Sequence, residues 1–249
     1  MTKIHAGLIG RFSLPFSAIP VVAIIVCLFA PEIAGGSLMR AAQLSKKGDL
    51  MWDRGEYSEA LPLYEESLIV CRQAVGENDP NTGMVLGNLA RCHTTLGDIS
   101  KALPLYERAV GVFEKNPGPK SANLALALNN IGSCYYLLGD AEKAIPVLER
   151  SLKIREKAFG SLHPETLEAL SNIAYCHWSV GEYSKALKMF ERVLAAREAR
   201  LGAHNLTTSD SLVGVADCYF GLGMYEKALP YYQRALDSRQ EALGARHPV

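Results

Sequence analysis

Mostly apolar side chains between residues 164 and 201 recur at the three- and four-residue spacing of two successive amphipathic helices. The first stripe comprises Leu167, Leu170, Ile173, Ala174 and His177, and the second comprises Ala186, Leu187, Phe190, Val193, Leu194 and Ala195. Gly181 separates the stripes and Gly202 follows the second, as expected of glycines that end helices in the left-handed conformation. The pattern predicts a helix over residues 164–180, a turn, and a second helix over 184–201.

The same unit occurs five times with a period of 42 residues. Two glycine columns carry the period: Gly55, Gly97, Gly139, Gly181 and Gly223, and Gly76, Gly118, Gly160, Gly202 and Gly244. Pro80, Pro164 and Pro248 open first helices, where a missing N–H costs nothing. Five such units fill residues 40–249, so the sequence predicts an all-α array of helix pairs.

Further columns predict how the helices pack. Small residues at Gly48, Ala90, Gly132, Ala174 and Ala216 allow the second helix to approach the first closely. Cys92, Cys134, Cys176 and Cys218 occupy one position of each first helix and are expected to be small buried residues with free thiols. Pro62, Pro104, Pro146 and Pro230 lie inside the second helices and are expected to bend them slightly or delay their regular start.

These columns resemble the tetratricopeptide repeat (TPR), and in particular the 42-residue subclass found in kinesin light chains. The resemblance is carried by Gly-Glu-Tyr-Ser-Lys-Ala-Leu at 181–187, by Tyr-Glu-Arg-Ala-Val at 106–110 and by Gly-Ser-Leu-His-Pro-Glu-Thr at 160–166. It implies a right-handed superhelical solenoid of five helix-turn-helix TPR units over residues 40–249. First helices would line a concave groove, and second helices would form the convex outside.

The resemblance also places candidate ligand contacts on the first helices. Asn88, Asn130 and Asn172 form a column between Lys46 and Gly214, and their amides could pair with the backbone of an extended peptide. The next two columns contribute Arg91, Tyr175, Tyr136, Trp178 and Phe220, whose aromatic members could form pockets for apolar side chains. The alternatives are asparagines bonded to neighbouring helices or solvent, and aromatic rings packed between helices.

Charge and leader sequence limit the partners and the compartment. With 26 basic and 26 acidic residues, the chain has no net positive charge to recruit nucleic acid or an anionic membrane surface. Residues 12–31 carry no charge and precede small residues at Ala34 and Gly36, which predicts a signal peptide or membrane anchor over residues 1–36. The repeats would then be secreted, periplasmic or anchored, with membrane contact only through this segment. The free cysteines argue instead for a reducing compartment.

No catalytic grouping, phosphate-binding glycine loop or metal-ligand spacing occurs in the sequence, so we expect no enzyme activity, cofactor or metal. The predicted function is a non-catalytic scaffold whose groove binds a protein or peptide. An alternative is an assembly subunit that pairs with another chain through its C-terminal repeat, since the array stops at His247-Pro248-Val249 without a polar capping helix; the chain could equally be a truncated product. A third interpretation is an enzyme or an enzyme-associated subunit.

Overall fold

A computed structural model describes residues 32–116 and 122–243, which contain ten α-helices and no strand. In chain order the helices are α1 (Glu32–Asp53), α2 (Tyr57–Val75), α3 (Pro80–Thr95), α4 (Ile99–Lys115), α5 (Ala122–Leu137), α6 (Ala141–Phe159), α7 (Pro164–Ser179), α8 (Tyr183–Leu201), α9 (Leu206–Gly221) and α10 (Tyr225–Leu243). Odd-numbered helices are the first helices of the repeats, and even-numbered helices are the second. The predicted all-α helical repeat solenoid is confirmed.

The start of the array differs from the prediction. Helix α1 begins at Glu32, ahead of residue 40, and its 22 residues exceed the 16 of α3. The predicted cleavage region at Ala34 and Gly36 falls in the first turns of α1, whereas the apolar leader up to residue 31 lies outside the described residues. Gly118, Gly244 and Pro248 lie outside them as well.

The helices form two compact units, whose described parts are residues 32–138 and 139–243. In the first unit α1 packs on α2, α2 on α3, α3 on α4 and α4 on α5, and α3 also touches α5. In the second unit the same order runs from α6 to α10, and α7 also touches α9. Each helix therefore buries its apolar face against its neighbours in sequence, as stacked helix pairs do.

Polar residues before the first helices fix where those helices begin. The Asp79 carboxylate accepts a hydrogen bond from the backbone N–H of Asn81 at 2.8 Å, with Pro80 in the first turn. The Asn205 amide oxygen accepts from the N–H of Thr207 at 2.9 Å in the same way. Both are N-caps, which satisfy backbone donors that the helix leaves unpaired.

Glycines with positive φ end the helices, as predicted. Gly181 has φ +81°, and Gly202 has φ +83°. Gly202 combines this with ψ 168°, however, whereas the left-handed helical conformation expected there has ψ near +47°. The chain therefore leaves α8 in an extended conformation that glycine adopts without steric cost.

The buried residues follow the predicted stripes. In α7 all five predicted positions are buried, His177 included. In α8 the stripe is buried at Ala186, Phe190, Val193 and Leu194, but Ala195 is exposed and thus does not face the core as predicted. The second helices remain helical through their internal prolines, such as Pro62 in α2.

The cysteine column is buried as predicted. Cys92, Cys134, Cys176 and Cys218 are all 0% exposed, and their thiols are free. Burial raises the pKa of Cys92 and Cys134 to about 11 and the pKa of Cys176 and Cys218 to about 12. The thiols therefore stay protonated and unreactive at neutral pH.

Close approach of helices depends on glycines that face aromatic rings. A Cβ atom on Gly48 would lie 2.9 Å from the Tyr64 ring, which confirms the predicted close contact between α1 and α2. A Cβ on Gly214 of α9 would lie 2.7 Å from the ring of Phe190 in α8. Phe190 is itself 1% exposed, so it has little room to move.

We expect Gly214→Ala to destabilise the chain by about 1–2 kcal/mol, because the cost of overpacking exceeds the helix propensity gained. The matched control is Gly111→Ala in α4, where a Cβ would meet nothing within 4 Å. That change should stabilise by about 0.5–1 kcal/mol. Urea unfolding of both variants measures the difference, and equal midpoints would contradict the packing argument.

Candidate functional site

A cleft opens between α3, α4 and α5 in the first unit. It is open to solvent and is lined by residues of all three helices. Helix α3 lines it with Gly83, Met84, Gly87, Asn88 and Arg91. These residues recur at a spacing of three or four positions, so they form one face of α3.

The other two helices supply the remaining walls of this first-unit cleft. Helix α5 contributes Asn123, Leu126, Ala127 and Asn130, and helix α4 contributes Tyr106 and Phe113. The cleft thus brings together three of the predicted groove residues, Asn88, Arg91 and Asn130. Its apolar lining was missed by sequence reasoning. Met84 and Leu126 lie one helical turn before the asparagine column, and that regular offset could have revealed them.

Two polar atoms of the cleft residues are fully buried without a hydrogen-bond partner among the described residues. They are the Asn130 amide oxygen and the Arg91 Nε. Asn130 is 6% exposed and Tyr106 is 0% exposed, and burial raises the pKa of the Tyr106 hydroxyl. An unsatisfied buried polar group costs about 1–3 kcal/mol, so such groups are uncommon in native folds and call for an explanation.

Arg91 is held by a cluster at one end of the cleft. Its Nη2 lies 3.4 Å from Asp49 Oδ1, and its guanidinium carbon lies 4.0 Å from the centre of the Trp52 ring. The Tyr64 hydroxyl donates to Asp49 Oδ1 at 2.5 Å. Burial raises the pKa of the Asp49 carboxyl, while the Tyr64 hydrogen bond and the Arg91 charge oppose that rise. The positive charge of Arg91 is therefore largely offset before any ligand binds.

The last repeat contains a similar acid–tyrosine pair. Tyr232 donates to Asp217 Oδ1 at 2.6 Å, and these residues occupy the repeat positions of Tyr64 and Asp49. The Trp178 indole N–H donates to the Asp217 backbone carbonyl at 3.3 Å. Trp178 is thus used in packing between α7 and α9.

The other predicted aromatic residues have different surroundings. Tyr175 is 8% exposed and meets Phe190 edge-on with ring centres 4.8 Å apart, so it packs between α7 and α8. Tyr136 is buried in the first unit at 9% exposure. Phe220 is 57% exposed and touches Tyr225 of α10 at 5.1 Å between ring centres.

The asparagine column is not uniformly accessible. Asn88 is half-buried on the cleft wall, Asn130 is nearly buried with its oxygen unpaired, and Asn172 in the second unit is 0% exposed. Gly214, which ends the column, faces Phe190 of the preceding helix. The column therefore lies along the contact between a first helix and the second helix before it.

In the second unit the positions that match the apolar cleft wall are charged. Glu168 and Asp210 occupy the repeat position of Met84 and Leu126, while Arg155, Arg197 and Arg239 occupy that of Phe113. Arg155 is 0% exposed and donates to the backbone carbonyl of Glu165 at 2.5 Å. Arg197 donates to the Ser211 hydroxyl at 2.9 Å, and Arg239 pairs with Asp210 at 2.8 Å. One set of repeat positions therefore forms an apolar wall in one unit and a charged network in the other.

Among residues 32–116 and 122–243, no group of three or more His, Cys, Asp or Glu side chains is arranged to hold a metal ion. Within the same residues, no helix has the length and apolar character needed to cross a membrane.

Comparison with known protein families gives two matches. A family model described as tetratricopeptide repeat matches residues 39–115 and 123–199, and a second model with the same description matches residues 208–249. A comparison with curated proteins finds no significant match.

Solved structures with a similar fold include relatives of the kinesin light chain. A putative kinesin light chain from Podosopora anserina with nearly identical TPR-like repeats aligns at TM-score 0.72 and 19% identity, over 83% of this chain and 97% of that one. BtubC (BKLC) from P. vanneervenii aligns at TM-score 0.70 and 23% identity, over 87% and 92%. A Rap protein complexed with competence and sporulation factor aligns at TM-score 0.67 and 17% identity, over 84% of this chain and 56% of that one. At these identities the likeness concerns the fold.

We expect the free energy of unfolding to depend on pH through the Glu168 carboxyl, which lies in the charged network of the second unit. Burial raises the pKa of its carboxyl to about 7, although Arg155 and Arg197 oppose the rise. The folded chain therefore holds this proton more tightly than the unfolded chain, and the free energy of unfolding should fall as pH rises from about 4.5 through about 7.

We expect the stability of Glu168→Gln relative to wild type to increase between pH 4.5 and pH 8 by on the order of 2 kcal/mol. Urea unfolding across that range gives the measurement, with Glu149→Gln at an exposed position of α6 as the control. A difference between Glu168→Gln and wild type that does not change with pH would contradict the prediction.

Proposed function

Because this chain belongs to the tetratricopeptide repeat family, we propose that it is a scaffold whose first-unit cleft binds an extended segment of a partner protein. Family membership supports a protein-interaction role in general, with protein or peptide partners. Members are typically non-catalytic, and the proposal includes no reaction and no cofactor. The observation that carries it is a cleft open to solvent that brings together the side chains of Asn88, Arg91 and Asn130.

The cleft residues have the chemistry that backbone recognition needs. An asparagine amide both donates and accepts, so Asn88 and Asn130 could each pair with a peptide group of an extended ligand whatever its sequence. Asn88 is half-buried and Asn130 nearly buried, so ligand atoms would meet them with little competing water.

We also propose ligand contacts in the second unit. Phe220 is 57% exposed and could contact an apolar ligand side chain directly. Asn172, Tyr175 and Trp178 are candidate contacts, but their side chains are buried or pack between helices. They would therefore act mainly by fixing the shape of the protein surface that the ligand contacts.

The proposed location is outside the cytoplasm, directed by the leader over residues 1–36. The cysteines do not oppose this. Cys71, Cys92, Cys134, Cys176 and Cys218 are buried, and burial raises the pKa of each thiol. Protonated, inaccessible thiols react slowly with oxidants and disulfides, so an oxidising compartment is compatible with them.

An exposed apolar surface on the last helices favours a second candidate function, self-assembly. Phe220, Met224, Tyr225 and Leu229 are 57%, 44%, 61% and 67% exposed, and they lie within ten residues of one another. Contiguous exposed apolar side chains are typical of interaction sites. The proposed occupant is the same surface of a second copy.

The cleft proposal is tested with 12-residue peptides selected on the full chain from a random display library. We expect Asn88→Ala combined with Asn130→Ala to weaken the selected peptides at least about tenfold, because two hydrogen bonds of about 0.5–1.5 kcal/mol each are lost. Glu107→Ala, exposed on α4, is the control and should bind as wild type does. Unchanged affinity in the double variant would refute the proposal.

The self-assembly proposal is tested by sedimentation of the full chain between about 1 and 100 μM. We expect a reversible dimer whose population falls in Leu229→Glu, because a charge in the apolar surface opposes its burial. Leu162→Glu is the control, since Leu162 is comparably exposed, at 64%, outside that surface. A monomer at every concentration would rule self-assembly out.

A further inference from the structure

We propose that helix α1 limits self-assembly of this chain to a closed dimer, because Lys46 and Lys47 keep α1 of one copy off the exposed face of α10 in another copy. The inference rests on the second proposed function, self-assembly through the last helices, and specifies which pairing those helices allow. It follows from a difference between two exposed helix faces, an apolar one on α10 and a charged one on α1.

The exposed face of α10 is the face that second helices use to receive the next first helix. Helices α2, α4, α6 and α8 each pack against the first helix that follows, whereas no helix follows α10 among the described residues. Tyr183 of α8 lies against Gly221 of α9, where an added Cβ atom would be 2.7 Å from its ring. Tyr225 of α10 occupies the repeat position of Tyr183 and is 61% exposed, whereas Tyr183 is half-buried.

Two leucines extend this face along α10. Leu229 is 67% exposed and Leu236 is 38% exposed, although Leu194, at the repeat position of Leu236 in α8, is only 6% exposed. Tyr225, Leu229 and Leu236 recur at helical spacing on one side of α10, and we call them the α10 face. None of the three is charged, so two copies can bring their α10 faces together without repulsion between like charges.

The corresponding contact face of a first helix is known from α3, which packs on α2. The Cys92 thiol of α3 donates to the backbone carbonyl of Tyr57 in α2 at 4.0 Å, and Tyr57 occupies the repeat position of Tyr225. Three more residues lie on the same side of α3 at helical spacing from Cys92, namely Val85, Asn88 and Leu89. Val85, Leu89 and Cys92 are buried, and Asn88 is half-buried.

Helix α1 carries different chemistry at these four positions. They hold Gln43, Lys46, Lys47 and Leu50, which we call the α1 face, and all four residues are exposed. Lys47 replaces the buried Leu89, and Lys46 replaces the asparagine. The polar α1 face is therefore typical of the end of a repeat array, where a helix meets water and not another helix.

The two faces do not suit each other. If α1 of a second copy covered the α10 face as a following first helix would, Lys46 and Lys47 would lose water against uncharged side chains, which is unfavourable. Such a head-to-tail contact leaves a free α10 face on the added copy, so it would continue into an open chain. Pairing of two α10 faces uses both of them and ends assembly at two copies.

The triple variant Gln43→Val/Lys46→Asn/Lys47→Leu tests the role of the lysines, because it gives α1 the residues that α3 has at these positions. Sedimentation equilibrium of the full chain between about 1 and 100 μM covers the affinities expected of such a contact. We expect wild type to form a dimer and no larger species. The average mass of the triple variant should rise beyond that of a dimer as its concentration increases.

Two further variants provide the controls. Lys46→Arg/Lys47→Arg keeps both charges and should stop at a dimer as wild type does. Leu229→Glu added to the triple variant should reduce the species larger than a dimer at least about tenfold, because each head-to-tail contact needs an α10 face. Should the triple variant be insoluble, Lys47→Leu alone makes the same test with a smaller expected rise in mass.

The outcomes separate the inference from the proposed self-assembly. Wild type that grows beyond a dimer with concentration would overturn the inference while leaving self-assembly in place. A triple variant that stops at a dimer, or large species that persist after Leu229→Glu is added, would overturn the role of the α1 face in the same way. A wild-type monomer at every concentration would refute self-assembly itself, and the inference with it.

Discussion

The contact between small residues on first helices and aromatic rings on second helices sets the spacing on which the rest of the fold depends. Gly48 faces Tyr64, Gly83 faces Phe113 and Gly214 faces Phe190, each so closely that a methyl group would overlap the ring. No single helix pair can enclose such a ring by itself, because its far side needs the next helix. Repetition of the unit is therefore a requirement of the packing.

Within this regular frame, a small number of repeat positions differ in chemistry between the two units. The position of Met84 and Leu126 becomes Glu168 and Asp210, and the position of Phe113 becomes Arg155. In the first unit these side chains form the apolar wall of the cleft. In the second unit the same positions pair charges with one another and with backbone carbonyls. The chemistry of these positions thus differs between units that share one backbone pattern.

The sequence was informative where one residue type recurs with the period. The glycine, proline and cysteine columns predicted the helix ends, the starts of α3 and α7 and the buried thiols, because each depends on a local property of one residue. The cleft was harder to predict because it needs three helices at once and because its lining changes from repeat to repeat. Asn88, Arg91 and Asn130 were identified from the family resemblance, whereas Tyr106 and Phe113 on α4 were not, since second helices were assigned to the convex side. The burial of Asn172 and the packing of Tyr175 follow from contacts with neighbouring helices, which periodicity alone does not reveal.

Asn130 is a polar residue at a position where the fold does not require one. A buried amide oxygen or hydroxyl without a partner lowers stability, and an apolar residue at the position of Asn130 would avoid that cost. The fold does not need a polar group there, because the matching position in the last repeat is Gly214. Arg91, by contrast, is supported by Asp49 and Trp52 and needs no ligand to be accommodated. Asn130 and Arg91 therefore differ in how far the surrounding side chains satisfy their polar groups.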